Sequence, residues 1–189
     1  NLARLSSTKV STSHVSPWES LAAVNDGFTP ISSDDRTNPV YGNWDGDANY
    51  NTYNWIQYDW DFAHQINSVA LYWFTDFGGI SQPTDAYISY WDGLEWINGG
   101  SVGLALNQFN MLGNLNFKTK KLRVYFKSNT ATGVVEFQAF GVETTQCDPT
   151  VVTASLKVNN GTEKSLNYAV VSPTDNVQFL ASIANNPTG

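Results

Sequence analysis

The sequence predicts an all-β chain: a jelly-roll β-sandwich over residues 1–143, then a linker and a partial immunoglobulin-like β segment over 144–189. Three observations carry this. Apolar residues alternate with polar ones through several short runs, turn residues (Gly, Asn, Asp) separate those runs, and helical signals are confined to one short stretch. The unit is bracketed by Asn1-Leu2-Ala3 and Asn25-Asp26-Gly27 at one end and by Val134-Val135-Glu136-Phe137-Gln138-Ala139-Phe140-Gly141 at the other.

Taken in order, Ser16-Pro17-Trp18-Glu19 reads as a capping box with Pro at the first helical position, predicting one or two helical turns through Leu21-Ala22-Ala23. Trp55-Ile56-Gln57-Tyr58-Asp59-Trp60 is a strand, and Ile66–Trp73 is a half-buried one with Val69, Leu71 and Trp73 inward. Ala86–Tyr90 runs through Asp92-Gly93 into Leu94-Glu95-Trp96, the signature of a hairpin. Lys121–Phe126 places Leu122, Val124 and Phe126 on one face, and Val134–Val142 closes the sandwich. Thr144–Pro149 reads as a linker. Beyond it, Val151–Val158, Ser165–Val171 and Asn176–Ile183 read as strands, with an Asn-Gly turn after the first, and three strands are thin for an independent core. The segment is therefore expected to be part of an immunoglobulin-like sandwich.

Composition bounds the partners. A net charge of -7, from 17 acidic and 10 basic residues, argues against nucleic acid, which is bound by clustered Lys and Arg. The same sign disfavours anionic membrane surfaces. Only 14% of residues are charged and 14% are aromatic, so the polar character comes from Asn, Ser, Thr and Gln, which suits neutral, hydroxyl-rich ligands. A single cysteine, Cys147, excludes an internal disulfide and leaves the redox compartment open. No run of about 18 apolar residues and no basic-then-apolar leader is read in the sequence.

Catalysis finds little support. Asp45 with Asp47 and Asp59 with Asp61 are carboxylate pairs of the kind glycosidases use, yet neighbouring carboxylates are common in an acidic chain. Neither a Gly-x-Ser-x-Gly elbow nor a phosphate loop is present, and His14 and His64 have no partner motif. No catalytic residue is assigned.

The ordered set of Asn25-Asp26-Gly27, Trp55–Trp60, Ile66-Asn67-Ser68-Val69, Trp91-Asp92-Gly93, Lys121–Val124 and Val135–Gly141 resembles the discoidin or coagulation-factor C-type (galactose-binding-like) domains, and among them the family 32 carbohydrate-binding modules. Ser16–Gly27 and Thr75-Asp76-Phe77-Gly78-Gly79-Ile80 are similar to modules appended to bacterial glycoside hydrolases that degrade plant polysaccharides. The resemblance implies a non-catalytic module on a secreted, periplasmic or cell-surface parent with a tethered catalytic domain. It also implies a structural calcium, with Asp26 and Glu136 at the family's carboxylate positions and Thr29 as a hydroxyl candidate, although the loop from Phe28 to Asp35 is longer than the usual spacing.

A sugar site needs an aromatic face against the C–H side of the ring and polar groups for its hydroxyls. The loop residues that meet this are His14, Trp18, Arg36, Trp44, Asp45, Tyr50, Tyr53, Asp76 and Phe77. Trp55, Trp60, Trp73 and Trp96 are read as packing residues. A protein or cell-surface adhesion module and a spacer without ligand are the alternative readings.

Overall fold

A computed structural model describes residues 1–46 and 50–144 in full, and the backbone of strands within 151–158, 164–165 and 177–184. The chain divides into two units, Asn1–Thr144 and Thr145–Gly189. In the first unit the strands are β1 (Lys9–Thr12), β2 (Tyr41–Gly42), β3 (Asn54–Phe74), β4 (Ile80–Ser81), β5 (Asp85–Trp91), β6 (Trp96–Ser101), β7 (Phe109–Leu112), β8 (Phe117–Lys127) and β9 (Ala131–Val142). Single 3-10 turns lie at Leu2–Arg4 and Leu21–Asn25.

β3 organises this unit. Its first half pairs antiparallel with β1 and β8, its second half with β7 and β9, and a register shift between Asp59 and His64 marks the crossing. β5 and β6 extend the first layer beyond β8, and β2 extends the second beyond β9. The layers face each other through ring contacts: Tyr58 of β3 stacks on Phe137 of β9 at 4.7 Å, and Trp73 of β3 meets Phe126 of β8 edge-on at 6.2 Å. Burial in β8 follows the alternation read from the sequence, with Leu122, Val124 and Phe126 fully buried.

Two local expectations change. The predicted capping box does not form: the Ser16 hydroxyl instead accepts from the Trp18 N–H at 3.3 Å in a turn, and the 3-10 helix starts after Ser20 with no side-chain cap. β3 is not half-buried near its end. Val69, Leu71 and Trp73 face the main core, while Tyr72 and Phe74 on the opposite face are buried in a second apolar cluster with Val40, Ile80, Ala131 and Val135. Loops fold over that outer face, and a single-face alternation cannot foretell such a cover.

The ends of the unit are stitched together. Asn1 Oδ1 accepts from the backbone N–H of Ala3 and of Ala139, and the Asn25 amide donates to the Ala3 carbonyl at 2.6 Å. His64, buried at the layer crossing, accepts from the Thr144 N–H through Nδ1 at 2.9 Å. The Asp92-Gly93 hairpin is present, with Trp91 paired to Trp96 and the Asp92 carboxylate accepting from the N–H groups of Leu94 and Glu95.

In the second unit β10 (Val151–Val158) is flanked antiparallel by β11 (Lys164–Ser165) and β12 (Val177–Ala184) in one sheet. The Asn-Gly turn expected after the first of these strands lies outside the described residues.

The core assignment makes a stability prediction. Trp73→Ala removes a fully buried ring whose Nε1 donates to the Gly103 carbonyl at 2.8 Å, and it should cost about 3–5 kcal/mol in chemical denaturation. Trp18→Ala, at a ring 70% exposed, should stay within about 0.5 kcal/mol of the parent.

Candidate functional site: an aromatic cleft at the rim

The second apolar cluster is the floor of a cleft. Phe74 and Ile80 belong to it, Trp44 packs against it, and the Arg36 guanidinium lies 4.7 Å from the centre of the Phe74 ring. A hollow of about 350 Å³ opens above, lined by Trp18, Glu19, Arg36, Trp44, Asp76 and the Gly79-Ile80 backbone. Trp18 and Trp44 form its aromatic wall, their ring centres 4.8 Å apart and their planes tilted by 55°.

Each wall has a local cause. Trp18 is thrust outward by the turn that Ser16 closes. Trp44 lies so near Gly79 that a Cβ there would sit 3.4 Å from its ring. Asp76 shapes its own loop: Oδ1 accepts from the N–H groups of Gly78 and Ile80 at 2.8 and 2.9 Å, leaving Oδ2 to face Arg36 at 3.7 Å. Glu19 reaches Arg36 from the other side at 4.0 Å, with its side chain only 6% exposed. Glycine at position 42 makes room for it, since a Cβ there would lie 3.2 Å from the Glu19 Cγ and 2.6 Å from Ile80.

Arg36 is therefore held by two carboxylates and an aromatic face, yet it donates no hydrogen bond to any described residue. A guanidinium carries five N–H donors. Here they are pre-positioned and unspent, about half exposed, beside two indoles. Such a set can donate to several hydroxyls of a ligand whose C–H face rests on a ring.

The structure thus brings together Trp18, Arg36, Trp44 and Asp76 of the residues read from the sequence. It places the others around or away from them. His14 Nε2 lies 4.0 Å from the Asp45 carboxylate. The Tyr50 hydroxyl accepts from the Asp45 N–H and its ring packs on the second cluster, so Tyr50 braces the loop. Phe77, 75% exposed, occupies the tip after Asp76 with φ at 54°.

Tyr53 departs most from expectation. It donates to Asp85 and meets Tyr87 edge-on at 5.2 Å and Tyr125 at 6.4 Å, on the outer face of the first layer and not in the cleft. The carboxylates weighed for catalysis are engaged as well, Asp59 with Lys121 at 3.4 Å and Asp61 with Lys9 at 3.0 Å. Asp47 lies outside the described residues. Glu19 escaped sequence reading because its spacing from Ser16 mimics a capping box, and no other signal marks it as a cleft residue.

A second polar centre sits where the bracketing segments meet. Glu136 is fully buried, and its Oε2 accepts from the Gly27 N–H at 3.2 Å. Gly27 adopts φ 85°, in the left-handed region that favours glycine, and the Arg4 guanidinium packs into the space a Cβ would take, 2.3 Å from Nη1. Oε1 of Glu136 has no hydrogen-bond partner among the described residues. Burial, with the Asp26 charge adding to it, pushes the Glu136 carboxyl up to about 7; the Gly27 N–H, Gln138 and Arg4 oppose the rise.

An orphaned buried carboxylate oxygen near a second carboxylate suits a hard cation with oxygen ligands. Asp26 is oriented by the Phe28 N–H on Oδ1 and the Asn38 amide on Oδ2. Thr29 is exposed, and among the described residues no hydrogen bond ties it to either carboxylate. No group of three or more His, Cys, Asp or Glu side chains gathers among the described residues, so further ligands would come from backbone carbonyls and water.

Glu136 also gives a pH signature. Its folded pKa, about 7, exceeds the ordinary 4.5, so its contribution is fully present below pH 4.5 and is lost as pH rises through 7. In the presence of a chelator, stability should fall across that window, and Glu136→Gln should flatten the slope in denaturation measured at each pH.

No family model matches the chain. Among solved structures, one from the work on the multiple functions of the Streptococcus pneumoniae β-galactosidase BgaA superposes with a TM-score of 0.62 at 12% identity, covering 73% of this chain and 99% of that one. The family 32 module of Clostridium perfringens NanJ, in complex with galactose, gives 0.56 at 13% identity over 71% and 93% of the two chains. A third module, from a family 31 glycoside hydrolase of Clostridium perfringens, gives 0.56 at 14% identity over 72% and 92%. No helix among the described residues is long and apolar enough to cross a membrane. The first unit of this chain has the galactose-binding-like β-sandwich fold of the family 32 carbohydrate-binding modules.

Proposed function

We propose that the chain is a non-catalytic carbohydrate-binding module that seats a sugar in the rim cleft. One observation carries the reading: the Arg36 guanidinium, its N–H donors unspent, is fixed beside the Trp18–Trp44 pair. Stacking on an indole supplies apolar contact, and the guanidinium with Asp76 supplies orientation. The galactose held by the NanJ module, which shares this fold, supports the same ligand class. A shallow single site of this kind binds at roughly millimolar to micromolar Kd, about -4 to -8 kcal/mol.

The parent is proposed to be a secreted or surface-exposed bacterial glycoside hydrolase acting on plant polysaccharide, where weak binding raises the effective concentration of a tethered catalytic domain. The segment from residue 144 is proposed to belong to an immunoglobulin-like sandwich. A protein-adhesion role is less favoured, because the cleft offers hydroxyl-directed donors and not a broad apolar patch.

Calcium is proposed at Glu136 and Asp26, where it would bind the two ends of the unit together without contacting the sugar. Its chemistry there would be purely structural: neutralising the buried Glu136 carboxylate beside the exposed Asp26 and stabilising the fold by mass action. Thr29 is retained as a ligand only if its loop closes on the ion.

Two measurements test these readings. On a glycan array followed by calorimetry, Trp44→Ala and Arg36→Ala should each lower affinity for the bound sugar at least about tenfold, or about 1.4 kcal/mol, in variants whose circular dichroism at the assay temperature matches the parent. Retained binding in both variants would move the site elsewhere. Separately, calcium should raise the melting temperature of the parent relative to chelator, and Asp26→Ala should abolish the rise.

A further inference from the structure

Resting on the carbohydrate reading, we propose that the site holds two consecutive neutral sugar residues of a chain, one on each side of the Glu19–Arg36 pair. A second hollow of about 430 Å³ adjoins the first. Both are lined by Trp18, Glu19 and Arg36, so these three residues form the ridge between two compartments of one cleft. Each hollow alone falls at the small end of ligand sites, which span about 300–1,000 Å³.

The compartments differ in chemistry. The first offers the Trp44 indole and the Asp76 carboxylate. The second is walled by Pro17, Ser20, Thr37, Asn38, Pro39 and Val40, which combine pyrrolidine C–H surface with hydroxyl and amide groups and add no ionised side chain. Asn38 spends its amide N–H on Asp26 at 3.2 Å, and its Oδ1 has no partner among the described residues, so it can accept from a sugar hydroxyl. Glu19 and Arg36 both line this compartment and offset each other's charge, so it carries no net charge and suits a neutral residue over a uronate.

Arg36 serves both sides. Its nearest carboxylate oxygens, at 4.0 Å on Glu19 and 3.7 Å on Asp76, lie beyond hydrogen-bond range, so each edge of the fork can turn to the hydroxyls flanking a glycosidic bond. Trp18 stands at the junction, 70% exposed, and can cover the linkage itself.

Calorimetric titration of the whole chain with galactose, arabinose and xylose, and with β-1,4-galactobiose, α-1,5-arabinobiose and β-1,4-xylobiose, tests this. At least one disaccharide should bind ten or more times as tightly as its own monosaccharide. Ser20→Met, which fills the second compartment, and Asn38→Ala, which removes its acceptor, should each bring the disaccharide down towards monosaccharide affinity while leaving the monosaccharide unchanged. Ser20→Met does not touch the Asp26 contact, so it separates a filled compartment from a disturbed loop. Equal affinity for monosaccharide and disaccharide, or a disaccharide advantage untouched by Ser20→Met, overturns the two-residue site and leaves the carbohydrate reading standing. No binding by any of the six sugars overturns both.

Discussion

The burial of β3 on both of its faces between Val69 and Phe74 is the constraint on which the first unit depends. On one side Val69, Leu71 and Trp73 fill the space between the layers, and on the other Tyr72 and Phe74 seat a second cluster under the rim loops. Fold and cleft floor therefore share one short stretch of β3. The arginine that defines the cleft rests on Phe74, so its position is set by core packing and not by loop conformation alone.

Two kinds of buried carboxylate show how the unit uses polar groups inside an apolar frame. Glu136 ties the last strand to the Gly27 turn and is left with one oxygen unpaired, where burial, reinforced by the Asp26 charge, makes the charged form unfavourable. Glu19 is almost as enclosed, but it faces a guanidinium that remains half exposed. The first arrangement is where a resident cation is proposed. The second presents a cation to whatever enters.

The sequence made the framework legible where one physical rule acts alone. Alternation places Leu122, Val124 and Phe126 inside because β8 has a dry face and a wet one, and Asp92-Gly93 marks a hairpin because the backbone there turns through φ 113° at Gly93. Legibility fails where two rules share a pattern. Ser16 and Glu19 have the spacing of a capping box, but Pro17 and Trp18 form a turn and the carboxylate is drawn to Arg36 instead. Trp18, Trp44, Arg36 and Asp76 were found through residue type, whereas Tyr53 has the same aromatic character and joins Tyr87 and Tyr125 because of strand register, which sequence proximity to Tyr50 conceals.

The outer face of the first layer holds a counterpart to the cleft arginine. Arg123 lies between the Trp55 and Trp96 rings, 4.2 and 4.1 Å from their centres, with its N–H groups donated to Gln57 and Tyr125. The same side chain that is left hungry at the rim is here sandwiched, with three of its five N–H donors spent on neighbours. On the proposed reading, one pairing of guanidinium with indoles thus serves two ends, a brace within the sheet on this flank and a seat for a ligand at the rim.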